Sequence, residues 1–308
     1  MYIVCTMNWF LISLFAPALW SFSNHIDKYL LSKYFKSGGV GALILISALF
    51  EFVVLPPIIL FRPDVLDVTL AQGAFAALGG VVGTLSILVY LYAMKEDEAS
   101  YVVPLFQMIP VITFMIGITF FHEVVGASQV LGSALIILGG IGLSLEFSGQ
   151  RPKLKSKVFF LMLLSCFMVA VSGTIFKVVA VDTDLLTTIF WLYLGGPLTG
   201  IFFLLITSYR QEFIKTLRNN RLRVISLNLF NEAITIMGGL IFSYTLMTAP
   251  FSLAWVVNGF QPLFVFAYGI VLTLLLPRLG AETLTRKVLL QKFVTIAVIL
   301  VGTYFMQV

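Results

Sequence analysis

Between Val68 and Met94 lie 27 consecutive residues without an Asp, Glu, Lys or Arg, and comparable uncharged stretches recur about ten times along the 308 residues. At about 1.5 Å rise per residue, some 20 apolar residues cross a hydrocarbon core of roughly 30 Å, so ten such segments with short loops nearly exhaust the chain. The pattern predicts spans at 8–28, 40–61, 70–93, 99–121, 126–146, 157–179, 186–207, 223–246, 249–276 and 288–307. The eighth and ninth are the hardest to separate. From Ala233 to Pro277 nothing is charged, and only length and the Ala249-Pro250 break, with proline at a helix start, divide them.

Composition agrees with a lipid solvent: 60% of residues are hydrophobic and 11% charged, against about 25% charged for a soluble globular domain. The net charge of +5 is spread over loops between apolar spans and forms no continuous face, which argues against a nucleic-acid partner. Cys5 and Cys166 show neither metal nor redox spacing and read as small packing residues. The first apolar stretch has no basic segment before it and no small-residue cleavage site after it, so it reads as a retained helix.

With ten spans the loops alternate between two faces, and of the 19 Lys and Arg all but Arg62 and Lys177 fall on one of them. By the positive-inside rule that face is cytoplasmic, and both termini are non-cytoplasmic. A prokaryotic-type inner membrane is the expected location. The chain also repeats itself. A shift of 152 pairs Tyr92 with Tyr244, Ser100 with Ser252, Pro110 with Pro262, Phe114 with Phe266, Gly117 with Gly269 and Ile118 with Ile270. A shift of 162 pairs Gln129 with Gln291 and Gly140 with Gly302. Five spans is an odd number, so the second half enters the membrane from the opposite side. The expected fold class is therefore all-α integral membrane, with ten transmembrane helices as two inverted five-helix repeats, at 1–150 and 151–308, joined by the basic linker from Arg151 to Lys157. That is the architecture of secondary transporters.

The fourth and fifth spans carry a family resemblance. Ala99-Ser100-Tyr101, Pro104, Gln107, Pro110, Glu123, Gln129, Gly132, Leu135-Ile136 and Gly139-Gly140 resemble the end of an EamA domain of the drug/metabolite transporter superfamily, and Trp20 and Asn24 fit its opening. The second copy departs from the pattern, with Glu282 and Gln291 more widely spaced and Val294 in place of the glycine. The resemblance implies a basket of ten helices, the first four of each half lining a central cavity. It also implies a mechanism more than a cargo, since members move amino acids, sugars, nucleotide sugars, phosphorylated metabolites or drugs. Within the family, Glu123 reads as a cap or inter-loop contact.

Charges placed mid-span are the sharpest local signal, because an ionised group at the bilayer centre costs at least about 2.5 kcal/mol. Glu51 lies midway along the second span, and Glu232 sits two to three turns into the eighth, beside Asn231 and four residues after Asn228. Both are candidates for proton coupling and substrate contact, with interhelical polar packing as the alternative. Asn24 and Lys28 share a face below Trp20, and Lys177 occupies a similar place in the sixth span. Turned inward, the two lysines make an anion-receptive site; otherwise each snorkels to its interface. Gln107, Asn258 and Gln261 flank Pro110 and Pro262, where they either bind substrate or satisfy carbonyls that proline leaves without a donor. Trp191 and Trp255 fall away from the span ends and are candidate cavity walls, beside Tyr90 and Tyr193. With His25 and His122 the only histidines, and no phosphate-binding loop or cysteine cluster, neither a cofactor, a metal nor enzymatic chemistry is expected. The reading is a secondary transporter of small polar metabolites, amino-acid export above all, by alternating access, coupled to protons or to exchange. The alternatives are a phosphorylated-sugar or nucleotide-sugar exchanger, and a non-transporting scaffold or membrane enzyme. The expected partners are a small-molecule substrate and membrane lipid, for a monomer or weak homodimer.

Overall fold

A computed structural model describes residues 9–34, 40–96, 102–144, 156–219, 221–275 and 286–307. All regular structure among these is helical: α1 (Phe15–Tyr34), α2 (Val40–Phe50), α3 (Leu55–Phe61), α4 (Leu70–Glu96), α5 (Met108–Thr119), α6 (Ala127–Ser144), α7 (Ser156–Asp182), α8 (Leu185–Leu205), α9 (Thr207–Asn219), α10 (Arg221–Thr248), α11 (Phe251–Val256), α12 (Gln261–Leu275) and α13 (Arg286–Gln307). Six stretches are long and apolar enough to cross a membrane: Val40–Phe61, Leu70–Glu96, Ser156–Asp182, Leu185–Leu205, Val224–Thr248 and Phe251–Leu272. Leu105–Thr119, Ala127–Gly142 and Leu290–Met306 are shorter apolar helices. Large apolar side chains point outward along them, with Leu60, Phe61 and Leu70 all at least 80% exposed, as lipid-facing positions require. Ser100, Glu282, Cys5 and the linker residues 151–155 lie outside the described residues.

Three spans are interrupted by a short 3₁₀ segment, and proline explains each. Pro56 and Pro57 follow the segment Glu51–Val54, Pro110 follows Val103–Gln107, and Pro262 follows Val257–Phe260. A proline has no N–H for the carbonyl four residues earlier and its ring crowds that carbonyl, so the preceding turn tightens. The carbonyls affected belong to Phe52, Val53, Phe106 and Asn258, all within the 3₁₀ segments. The same local chemistry therefore recurs in three places, and each segment carries a polar side chain: Glu51, Gln107 or Asn258.

The corner between α10 and α11 is built by two charged side chains. Lys177, near the end of α7, donates to the carbonyls of Leu246 (2.5 Å) and Ala249 (3.0 Å), which close α10. Glu123 accepts from the backbone N–H groups of Phe251 and Ser252 and from the Ser252 hydroxyl (2.6 Å), capping α11. Glu123 is held in place because the end of α5 turns back on itself. Its N–H bonds to the Gly117 carbonyl at 3.0 Å, and His122 takes a positive φ of 52° in between, the wrap-around ending usual at helix C-termini. The expected capping role of Glu123 is thus borne out.

Between spans, α4 packs along α7 and α8, α1 along α10 and α12, α6 along α13, and α5 against α11. The closest approach joins α4 and α8, where a Cβ on Gly80 would overlap the carbonyl of Leu192 and one on Gly195 the carbonyl of Ala77. Only glycine allows backbones this near. The basic stretch after the seventh span, expected as a loop, is the amphipathic helix α9. It packs on α2, with Glu212 accepting from the N–H of Gly41 at 3.0 Å and Tyr209 bonded to Tyr92 through their hydroxyls at 2.6 Å.

Asp184 begins α8 in extended conformation and its carboxylate accepts from the N–H groups of Leu186 and Thr187 and from the Thr187 hydroxyl. Partial burial pushes its pKa up, but these hydrogen bonds and nearby Arg62 outweigh that and hold it below the usual aspartate range. A carboxylate with a lowered folded-state pKa stabilises above its unfolded pKa of about 3.9 and stops doing so as pH falls through the folded value. Asp184→Ala is expected to cost about 1 kcal/mol at neutral pH. The deficit should shrink as pH drops below about 4, measured as the difference in thermal midpoint between variant and wild type in detergent.

Candidate functional site

A cavity of about 430 Å³ lies among the helices, with walls supplied by α1, α2, α4, α5, α7, α8, α10, α11 and α12 and by the 3₁₀ segments Glu51–Val54, Val103–Gln107 and Val257–Phe260. Its lining is mostly apolar and aromatic, with three carboxyl side chains, Asp27, Glu51 and Glu232, in the wall. No Lys or Arg is among the described residues that line it. An apolar pocket with a few convergent polar groups is the usual form of a small-molecule site.

Each carboxyl group is set by its own local geometry. Asp27, on α1, accepts from the Asn231 side-chain amide at 2.6 Å. Glu232, one residue further along α10 and 9% exposed, accepts from the hydroxyl of Ser47 on α2. Glu51 stands at the junction of α2 and its 3₁₀ segment, where the helix tightens, and its carboxylate rests against Gly196 of α8, at which a Cβ would overlap it. Gly196 precedes Pro197, a proline inside α8 whose ring lies over the turn containing Tyr193. Tyr193 itself lines the cavity.

Aromatic rings continue from the cavity into the core. Trp20 and Phe242 have centroids 5.4 Å apart, Phe242 and Trp255 4.6 Å, Phe251 and Trp255 6.3 Å, and Phe121 and Phe251 5.0 Å. The chain of rings ends at the corner held by Glu123 and Lys177. Trp20 is fixed by its indole N–H, which donates to the Thr235 carbonyl at 3.2 Å. Tyr90 and Phe106, which also line the cavity, have ring centroids 4.9 Å apart.

Several buried polar atoms of the lining have no partner among the described residues: Oδ1 of Asn231, Nε1 of Trp255, Oδ1 of Asn258 and Oε1 of Gln107. Asn231 is 1% exposed and Trp255 6%. The Gln107 oxygen rests near Gly140 of α6, so it faces the back of the wall. Orphaned polar atoms are rare in folded proteins and each needs an explanation.

Of the residues singled out in the sequence, Trp20, Asn24, Glu51, Tyr90, Gln107, Tyr193, Glu232, Trp255, Asn258 and Gln261 come together around this one cavity. The others do not. Lys177 is engaged with the carbonyls of the α10–α11 corner. Trp191 donates to the Val65 carbonyl at 2.9 Å and packs over Gly73, tying the segment Pro63–Leu66 to α8. Asn228 is buried one turn before Glu232, away from the lining. Lys28 lies on α1 but its side chain is outside the described residues. Asp27, Asn231 and Ser47 are additions that sequence reasoning passed over as ligands. Asp27 is next to Lys28 near the predicted end of a span, and so reads as part of an interfacial charge cluster. The available signal was its spacing: Trp20, Asn24 and Asp27 are separated by four and three residues, on one helical face.

Known proteins resemble this chain in three ways. The model of the EamA-like transporter family matches residues 7–145. An uncharacterised protein of Methanocaldococcus jannaschii is 37% identical over 72 residues, which is 23% of this chain and 53% of that protein, so the chain spans about half the length of this curated relative. A solved structure, described only as the crystal structure of a protein, superposes with a TM-score of 0.65 over 97% of this chain and 98% of its own at 12% identity. That likeness shows a shared fold.

Two outcomes test the geometry. Gly196→Ala is expected to fold, because its obstacle is the end of the Glu51 side chain, yet to displace that carboxylate; Gly195→Leu meets backbone and should abolish recovery of folded protein, read by size-exclusion chromatography in detergent. Lys177→Met should lower thermal stability by about 1–3 kcal/mol through the uncapped carbonyls, with no change in the affinity of any cavity ligand measured by fluorescence titration.

Proposed function

We propose that this chain, whose residues 7–145 belong to the EamA-like transporter family and whose apolar helices make it a multi-pass integral membrane protein, is a secondary transporter that binds a small polar metabolite in the central cavity and exposes it to each side in turn. Amino acids and related metabolites are the proposed cargo class, and export the proposed direction. The observation that carries the proposal is the cavity itself, roughly metabolite-sized at about 430 Å³ and lined from both halves of the chain.

Ten spans in two inverted repeats, 1–150 and 151–308, are part of this reading. Reciprocal packing supports it. Exchanging the halves turns the contact of α4 with α7 into that of α10 with α1, and the contact of α5 with α7 into that of α12 with α1, while α6 with α13 maps onto itself. The proline-linked 3₁₀ turns before α5 and α12 also correspond. Pairs of interrupted helices at matching positions in two halves are a feature of transporter binding sites.

Coupling to protons is assigned to Glu51, with Glu232 beside it. In a closed apolar cavity the neutral carboxyl is tolerated, whereas the charged form needs water or a cation. Among the described residues, Asp27, Glu232, Tyr90 and Tyr193 are the other titratable groups that line the cavity. The exchanger reading for phosphorylated sugars rested on Lys28 and Lys177; with Lys177 bound to two carbonyls, the described lining offers no cation for an anion.

In proteoliposomes, Glu51→Gln is expected to fold and to keep exchange of bound cargo while losing acceleration by a pH gradient at least tenfold. Gradient-driven uptake equal to wild type would remove the coupling role from Glu51. Orientation has its own test: the Arg151–Lys157 linker and the helix α9 should be reachable only from the cytoplasm, and labelling of a cysteine in either one from outside intact cells would reverse the assignment.

A further inference from the structure

We propose that the cavity recognises a protonated amine carrying at least one N–H, seated between Asp27 and Asn231, and that it discriminates against anions and against quaternary ammonium groups. The inference deepens the transporter reading and rests on it for the identity of the site.

Charge comes first. Asp27, Glu51 and Glu232 share one cavity, and the described lining supplies no Lys or Arg to neutralise them. A buried carboxylate is stable only when a proton or a cation accompanies it. Acidic residues alone do not define a ligand, and the second observation comes from Asn231. This side chain is 1% exposed, its amide nitrogen donates to Asp27 at 2.6 Å, and its oxygen has no partner among the described residues. The donation to Asp27 fixes which end of the amide is which. An acceptor oxygen thus stands beside a carboxylate, with its hydrogen-bonding capacity unused.

A ligand completing this arrangement must bring a donor to Asn231 Oδ1 and positive charge to Asp27. An ammonium N–H does both, whereas a hydroxyl supplies only the donor and a trimethylammonium only the charge. The rings of Trp20, Tyr90 and Phe106, which line the same cavity, suit the body of such a cation. The N–H of Trp255, also in the lining and without a partner among the described residues, is a donor, so the rest of the ligand is expected to tolerate an acceptor.

Four probes of nearly equal shape separate these requirements: phenethylamine, its alcohol analogue 2-phenylethanol, its N-trimethyl derivative, and the anion 3-phenylpropionate. Trp20 and Trp255 line the cavity, so intrinsic fluorescence of the purified full chain reports occupancy; counterflow in proteoliposomes reports transport. Phenethylamine should bind at least tenfold more tightly than each of the other three. Asp27→Asn, which keeps shape and a partner for Asn231, should remove that preference while leaving 2-phenylethanol binding unchanged. Equal or tighter binding of the alcohol, the trimethyl compound or the carboxylate would overturn the inference, as would the absence of any response to phenethylamine. Amine binding without counterflow would leave the inference standing and overturn the transporter reading. Counterflow of 3-phenylpropionate without amine binding would do the reverse.

Discussion

In a hydrocarbon solvent a polar group must find its partner within the protein, because lipid offers none. Much of the described structure follows from this requirement. Hydroxyls inside the helices turn back onto their own helices: Thr84 donates to the Gly80 carbonyl, Thr113 to Ile109, Thr174 to Ala170, Thr199 to Gly195 and Thr245 to Ile241. At the α10–α11 corner the chain must reverse with its last carbonyls and first N–H groups unpaired, and a buried turn of that kind would cost about 1–3 kcal/mol per orphaned group. Lys177 takes the carbonyls and Glu123 the N–H groups. A cation from α7 and an anion from the segment after α5 thus do the work that water does in a soluble protein.

The same requirement explains what was legible in the sequence. Stretches free of charge marked the positions of the apolar helices to within a few residues, since charge is excluded from lipid whatever the tertiary fold. Glu51 and Glu232 stood out because each breaks such a stretch, and both line the cavity. Lys177 stood out as a cation near a span end and Trp191 as an aromatic ring away from one, yet their partners are the carbonyls of Leu246, Ala249 and Val65. A polar residue in an apolar span announces that something must satisfy it. Whether that partner is cargo or backbone depends on helices distant in sequence, so it was not readable locally. Asp27 was hidden by its neighbour Lys28. The helix α9 was hidden by its basic residues, which signal a cytoplasmic position equally well as loop or as amphipathic helix.

Proline and glycine link this packing to motion. The 3₁₀ turns at Glu51–Val54, Val103–Gln107 and Val257–Phe260 arise from prolines that withhold a donor, so at each of these points the helix holds together by fewer intrahelical bonds. Glycines at the α4–α8 contact remove side-chain interlocking, and two backbones in contact can slide where interdigitated side chains cannot. Glu51 belongs to both features, as it begins one 3₁₀ turn and lies against Gly196 at the α8 surface. A shift of α8 along its neighbours would move the surface on which this carboxylate rests. The group assigned to coupling is therefore also the one whose surroundings such a shift changes most directly. In the proposed transport cycle, occupancy of the cavity and the relative position of the two halves would be linked through this one side chain, since a ligand that favours one seat of the carboxylate favours the arrangement providing it.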